Sequence, residues 1–315
     1  MYKTIIKKLY TAFLLLRNSI TSFSDDRCVK LGAALAFYTI FSIGPFLVII
    51  ISLCGIFFGQ DAIEGKIYWQ IKDLVGSSAA TQIQEILKNI QHSKQGWFAT
   101  AIGFVTLLFG ATGVFTEIQD SINFIWNIKA KPKRTWLQFL TNRVMSFSMI
   151  ITMGFLMLVS LMANSVLEIF SDQIIRLIPE SKVVLLFMLN NAVVLFFIGL
   201  MFTCIFKFLP DAYIEWKSAF RGGVVTALLF MLGKYLIGLY LGQSNIGTMY
   251  GAAGSILLLM TWVYYSSIIL YFGAEFTKIC ALHLDKQIMP KPYAVMIIKN
   301  EKEIRIKTDA DYRKN

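Results

Sequence analysis

Apolar residues gather in six long blocks, at 30–59, 98–118, 144–167, 183–206, 219–241 and 252–276, with polar stretches between them. A helix needs about 20 apolar residues to cross the hydrocarbon of a bilayer. Lipid offers no hydrogen bonds, so each block must satisfy its own backbone and is expected to be a helix. The pattern predicts an all-α, polytopic membrane protein, a bundle of six transmembrane helices within 25–282. Leu9, Phe13, Leu16, Ile20 and Phe23 recur at helical spacing with Lys3, Lys7, Lys8 and Arg17 alongside. That spacing predicts an amphipathic helix over 1–24, lying in the membrane surface. Segment 60–96 carries Ile67, Ile71 and Leu74, then Ile83, Ile86, Leu87 and Ile90 after the N-cap candidates Ser77 and Ser78, with Gly96 to close. Two amphipathic helices forming an external cap are expected there. The tail, 283–315, predicts a two-stranded hairpin around Lys299 to Lys302 and disorder at its last residues.

Composition strengthens the membrane reading. Of 315 residues, 56% are hydrophobic and only 16% charged, with a mean hydropathy of +0.62, against about 25% charged in soluble domains. The net charge of +11 suggests a nucleic-acid binder until its placement is read. Lys3, Lys7, Lys8, Arg17, Arg27 and Lys30 precede the first block. Lys129, Lys131, Lys133, Arg134 and Arg143 follow the second, Lys207, Lys217 and Arg221 follow the fourth, and further lysines follow the sixth. Basic loops alternate with neutral ones, which predicts both termini in the cytoplasm. The charge then faces anionic lipid headgroups on the inner leaflet, and no nucleic-acid partner is expected. No cleavable signal peptide is expected, because Arg17 breaks the short apolar run near the start. Cys28, Cys54, Cys204 and Cys280 form no CxxC and read as buried apolar residues.

Candidate chemistry is sparse. Gly44-Pro45 falls inside the first block, where Pro45 is expected to kink or break the helix and expose backbone groups at mid-membrane. Glu117 and Asp120 end the second block, and Glu275 and Lys278 end the sixth, so these groups are expected around an inward-facing vestibule. Lys234 lies inside the fifth block, where a lysine must snorkel, pair or face water. It is the leading candidate for contact with an anionic group of a ligand or lipid. Tyr38 and Asn190 are polar positions within spans and join the candidate cavity set, although interhelical hydrogen bonding is the default explanation of such residues. Gly247, Gly251 and Ser255 repeat every four residues, Gly254 adds a second small face, and Gly32 and Ala36 share the spacing. Close packing between the first and sixth spans is expected from this. His92 and His283 are the only histidines and fall on opposite sides of the membrane. No catalytic motif, metal site or cofactor site is expected.

Four stretches carry a family resemblance: KLGAALAFYTIFSIGPFLV; GATGVFTEIQDSINFIWNIK with its sequel KPKRTW; KFLPDAYIEWKSAFRGGVVTALLFMLGKYLIGLYL; and YGAAGSILLLMTWVYYSSIILYFGAEFTK. Over about 25–282 the chain resembles the YihY/virulence factor BrkB family. The resemblance implies a bacterial inner-membrane protein with six helices. It marks Tyr38, Pro45, Glu117, Asp120, Asn123, Trp126, Pro210, Asp211, Lys234, Tyr250, Gly251, Gly254, Trp262 and Glu275 as motif positions, and it brings no catalytic residues. The expected function is transport or lipid handling in the cell envelope, with a small anion or a lipid as substrate. The alternatives are a non-transporting envelope scaffold and, last, the membrane-attached ribonuclease that the family's old label ribonuclease BN suggests.

Overall fold

The computed structural model describes residues 2–42, 81, 113–131, 148, 152, 183–243, 252–284 and 287–298. Helix α1 runs Tyr2–Asp25 and α2 runs Cys28–Ser42. Residues 113–125 form α3, and the strand β1 is Ile128–Ala130. Then come α4 (Val183–Phe208), β2 (Ala212–Tyr213), α5 (Trp216–Gln243), α6 (Ala252–His283), β3 (Met289–Pro290) and β4 (Ala294–Met296).

Among the described residues, α4, α5 and α6 are long and apolar enough to cross a membrane. They are close to the hydropathy blocks, except that α6 runs on to His283 past the expected 276. Its extension stays helical because Lys278 is held by two carboxylates and Cys280 and Ala281 are buried. Block 144–167, the cap segment 60–96 and Gly44-Pro45 fall outside the described residues, apart from Thr81, Ser148 and Thr152.

Helix α5 lies between α4 and α6, and three glycine–threonine pairs set how closely. Thr203, Thr226 and Thr277 each donate a hydroxyl hydrogen bond to the carbonyl four residues earlier, of Gly199, Gly222 and Gly273, at 2.7 Å. Each threonine then faces a glycine of the next helix. A Cβ on Gly222 would sit 1.7 Å from Thr277 Oγ1, and one on Gly273 would sit 1.8 Å from Thr226 Oγ1. A Cβ on Gly223 would meet Thr203 Oγ1 at 2.2 Å and the Gly199 carbonyl at 2.7 Å. Small faces of this kind let helix backbones approach in lipid, where apolar burial gives helices no drive to associate. Farther along, Phe202, Phe230 and Trp262 form an aromatic row across the three helices, at 5.9 and 6.1 Å between centroids. Trp262 is therefore a packing residue.

At the basic end of these helices the loops are tied together by strands that the all-α expectation did not include. β1 pairs antiparallel with β4, and β2 with β3. The tail strands thus bond to two interhelical loops, not to each other as a hairpin. An isolated two-stranded hairpin is marginal in water, whereas a loop held against a helix bundle supplies a fixed edge. The expected hairpin site, Lys299 to Lys302, lies outside the described residues.

Candidate functional site

The polar side chains that the structure gathers lie at the basic end. α3 ends there in a left-handed Asn127 (φ 58°), which lets the chain turn directly into β1. Its last turns are wedged into the bundle. Ile122 and Ile125 are fully buried, and Trp126 Nε1 donates to the Ala274 carbonyl of α6 at 3.0 Å.

Asp211, in the turn between α4 and α5, is buried at 2% exposure, and three donors surround it. Gln119 Nε2 reaches Oδ1 and Asn123 Nδ2 reaches Oδ2, both at 2.9 Å, and the Tyr293 hydroxyl donates to Oδ1 at 3.1 Å. The Asp211 backbone N–H donates to Asn123 Oδ1 at 2.8 Å, and the Lys291 N–H donates to the Asp211 carbonyl at 2.9 Å. One carboxylate therefore joins α3, the α4–α5 turn and the tail. Burial and the Asp211 charge push the Tyr293 phenol up. Burial also lowers the Lys291 ammonium, against the Asp211 charge that raises it.

A second cluster lies on α6. Lys278 Nζ is 3.2 Å from Asp26 Oδ2 and 3.3 Å from Glu275 Oε2. Asp26 stands at the corner between α1 and α2, which Arg27 turns in the left-handed conformation (φ 51°). Phe23 packs on Phe272 at 6.0 Å, so α1 is fixed to α6 by one aromatic contact and one ion pair. Glu275 is fully buried. One turn earlier, the buried Tyr271 lies among Ser121, Glu117 and Cys28, and Ser121 donates to Glu117 Oε1 at 3.4 Å.

The structure thus brings Glu117, Asp120 and Glu275 to one end of the bundle. Lys234 stands apart, half-buried on α5, next to Gly233, whose Cβ would come within 2.5 Å of the Tyr265 ring. Tyr38 is 46% exposed and touches the Gly113 position at 3.7 Å. Asn190 is in α4, but its side chain is outside the described residues, as are Pro45, Gly247 and Gly251. Gly254 is buried. A Cβ on Gly32 would meet Ile268 and Ser267 of α6 at 3.3 to 3.6 Å, so the α2–α6 approach lies well along α6 from Gly254. Sequence reasoning overlooked Asp26, Gln119 and Tyr293. It passed over the repeated glycine-plus-four threonine spacing, which is visible in the sequence. Among the described residues, Cys28, Cys204 and Cys280 are buried and form no disulfide, and no cluster of metal-ligating side chains occurs.

Asp120 gives a pH test. The residue is exposed, yet partial dehydration of its carboxyl, followed by the charges of Glu117 and Asp211, raises it from 3.8 to about 6. The folded state then holds this proton more tightly than the unfolded chain. The associated stability is full below pH 4 and is lost as pH rises through 6. Asp120→Asn is expected to raise the thermal midpoint in detergent at pH 7.5, with a gain that shrinks as pH falls through 6 and vanishes near 4. A gain independent of pH would contradict this account.

Comparison with known proteins adds a family. Residues 19–294 match the family described as Virulence factor BrkB. A UPF0761 membrane protein of Verminephrobacter eiseniae is 28% identical over 261 residues, covering 81% of this chain and 59% of the relative. One from Albidiferax ferrireducens is 25% identical, covering 80% of this chain and 58% of the relative. One from Vibrio vulnificus is 24% identical, covering 83% and 80%. The chain therefore spans a little under six-tenths of the length of the first two. No solved structure matches the chain significantly.

Proposed function

Because the chain belongs to the virulence factor BrkB family of membrane proteins, we propose that it is an inner-membrane translocator that moves a lipid or a small anionic solute. In this reading both termini and the basic loops face the cytoplasm, where they meet anionic headgroups.

The observation that carries the reading is Lys234. It lies on a helix of membrane-crossing length, about 27 Å along the axis from Trp216 and about 13 Å from Gln243 at 1.5 Å per residue. It is half-buried among protein. An ammonium at such depth is costly in hydrocarbon and is retained where it meets a partner, a water-filled path or a ligand. The neighbouring Gly233 brings α5 against the Tyr265 ring of α6, which places aromatic and phenolic groups at the same level. A lysine at that level of the bundle suits a phosphate or carboxylate head.

The test is flux in liposomes reconstituted with purified protein, using fluorescent phospholipids and small organic anions. Wild-type protein is expected to move at least one of them. Lys234→Ala should cut the rate about tenfold or more, the scale of one lost charge-assisted contact, and Lys234→Arg should keep part of it. Flux unchanged in Lys234→Ala would remove the lysine from the substrate path. No flux from wild type for any probe would favour the scaffold reading.

A further inference from the structure

The structure buries two carboxylates at the basic end and treats them oppositely. Both oxygens of Asp211 are engaged, by Gln119, Asn123 and Tyr293. Glu275 is more deeply buried, at 0% exposure; Lys278 is the donor that reaches it, at Oε2, and the Asp26 carboxyl stands beside it as a second acid. Glu275 Oε1 is buried without a hydrogen-bond partner. A charged oxygen removed from water with nothing donating to it is among the least favourable arrangements in a protein interior. A proton relieves it, because a neutral carboxyl loses far less hydration on burial.

The charge count points the same way. Lys278 is shared between Glu275 and Asp26, so one ammonium serves two carboxylates. The other groups facing the cluster do not settle the excess. On the α1–α2 corner these are Asp26 and the Cys28 thiol. From α3 Glu117 approaches through Tyr271, which adds negative charge. From α5 Arg221 lies on the Cys280 side, a full turn beyond Glu275.

We infer that Glu275 is a proton-binding site, loaded from solvent through Asp26. Asp26 and Lys278 keep 13% of their side-chain surface exposed, while Glu275 keeps none. A proton from water therefore reaches Asp26 first and passes to the inner carboxyl. The Lys278–Asp26 pair also fixes α1 to α6, so the charge state of Glu275 sets how strongly Lys278 is drawn to Asp26. With Glu275 protonated, Lys278 belongs to Asp26 and the contact between the helices tightens. With Glu275 ionised, the two acids compete for it.

The test is infrared spectroscopy of the purified full chain in detergent, titrated from pH 5 to 9. The wild-type minus Glu275→Gln difference should show the C=O stretch of a protonated carboxyl at pH 7, fading toward alkaline pH. Asp26→Asn removes a neighbouring negative charge and should move the midpoint down by about one pH unit or more. Lys278→Met removes the positive charge and should move it up. Should Lys278→Met not fold, Asp26→Asn carries the test alone. No difference band at any pH would overturn the inference, as would a band that Asp26→Asn leaves in place. The readout is the carboxyl itself, so a protein that moves none of the flux probes still tests it.

Discussion

Gly223→Leu is expected to destabilise the protein more than any other single substitution in the described core. A Cβ at that position already comes within 2.7 Å of the Gly199 carbonyl and 2.8 Å of the Thr203 N–H. Those are backbone atoms, which cannot step aside as a side-chain tip does. α4 and α5 must separate, and the burial of Phe202, Thr203 and Ala227 is lost with the contact. Overpacking typically costs about 1–3 kcal/mol, and an obstruction made of backbone puts this site at or above the upper end, a fall of roughly 6–12 °C in the thermal midpoint. Gly222→Leu should behave similarly, with one difference. Its obstruction is the Thr277 side chain, so adding Thr277→Ala should restore part of the loss. Gly238, on the same helix, has nothing within 4 Å of its Cβ position. Gly238→Ala should leave the midpoint unchanged or raise it slightly, by at most the helix preference of about 1 kcal/mol. Equal effects at Gly223 and Gly238 would sink the close-approach account.

Asp211→Ala should come next, at about 3 kcal/mol, because it strands three donors in a buried site. Asp211→Asn is the more informative variant. It preserves shape but turns one acceptor oxygen into an NH2 group, which must then face Gln119 Nε2 or Asn123 Nδ2, themselves donors. A loss of about 2 kcal/mol or more is expected from it. Tyr293→Phe removes a single donor and leaves the carboxylate its other two, so it should cost about 1 kcal/mol. Thermal unfolding in detergent ranks the three. Asp211→Asn as stable as wild type would mean that the donors have other acceptors.

The long helices were legible in the sequence because hydropathy in lipid is a local property. α4 and α5 start and end close to the blocks that the composition marks, α6 starts on its block and overruns it to His283, and α1 follows its five spaced apolar residues. The polar sites were not legible in the same way. Gln119 and Asn123 meet Asp211 from 92 and 88 residues away, and no spacing rule links them. Glu275 and Lys278 are neighbours on a helix, but their partner Asp26 lies 252 residues from the lysine. Attention to small-residue spacing fell on Gly247, Gly251 and Gly254, while Gly199–Thr203, Gly222–Thr226 and Gly273–Thr277 carry the observed approach. A threonine counts as small only when its hydroxyl is turned back onto its own helix, a condition that the sequence does not display. The sequence predicts a hairpin in the tail, but the strands in the loops and the actual pairings escaped notice, because two or three residues hold no period and their partners are chosen by where the helices end.

Those strand pairs have a consequence for how the molecule is made. Among the described residues, the backbone groups of Ile128–Ala130 pair with Ala294–Met296, about 160 residues later on the nascent chain. At ribosomal rates of roughly 5–20 residues per second, the earlier loop waits on the order of ten to thirty seconds with its edge unclaimed. Insertion of the helices therefore runs ahead of completion at this end. The carboxyl-terminal region acts as a late clasp, and a chain stalled before residue 289 leaves the translocation machinery with its spans in place and this end unlatched.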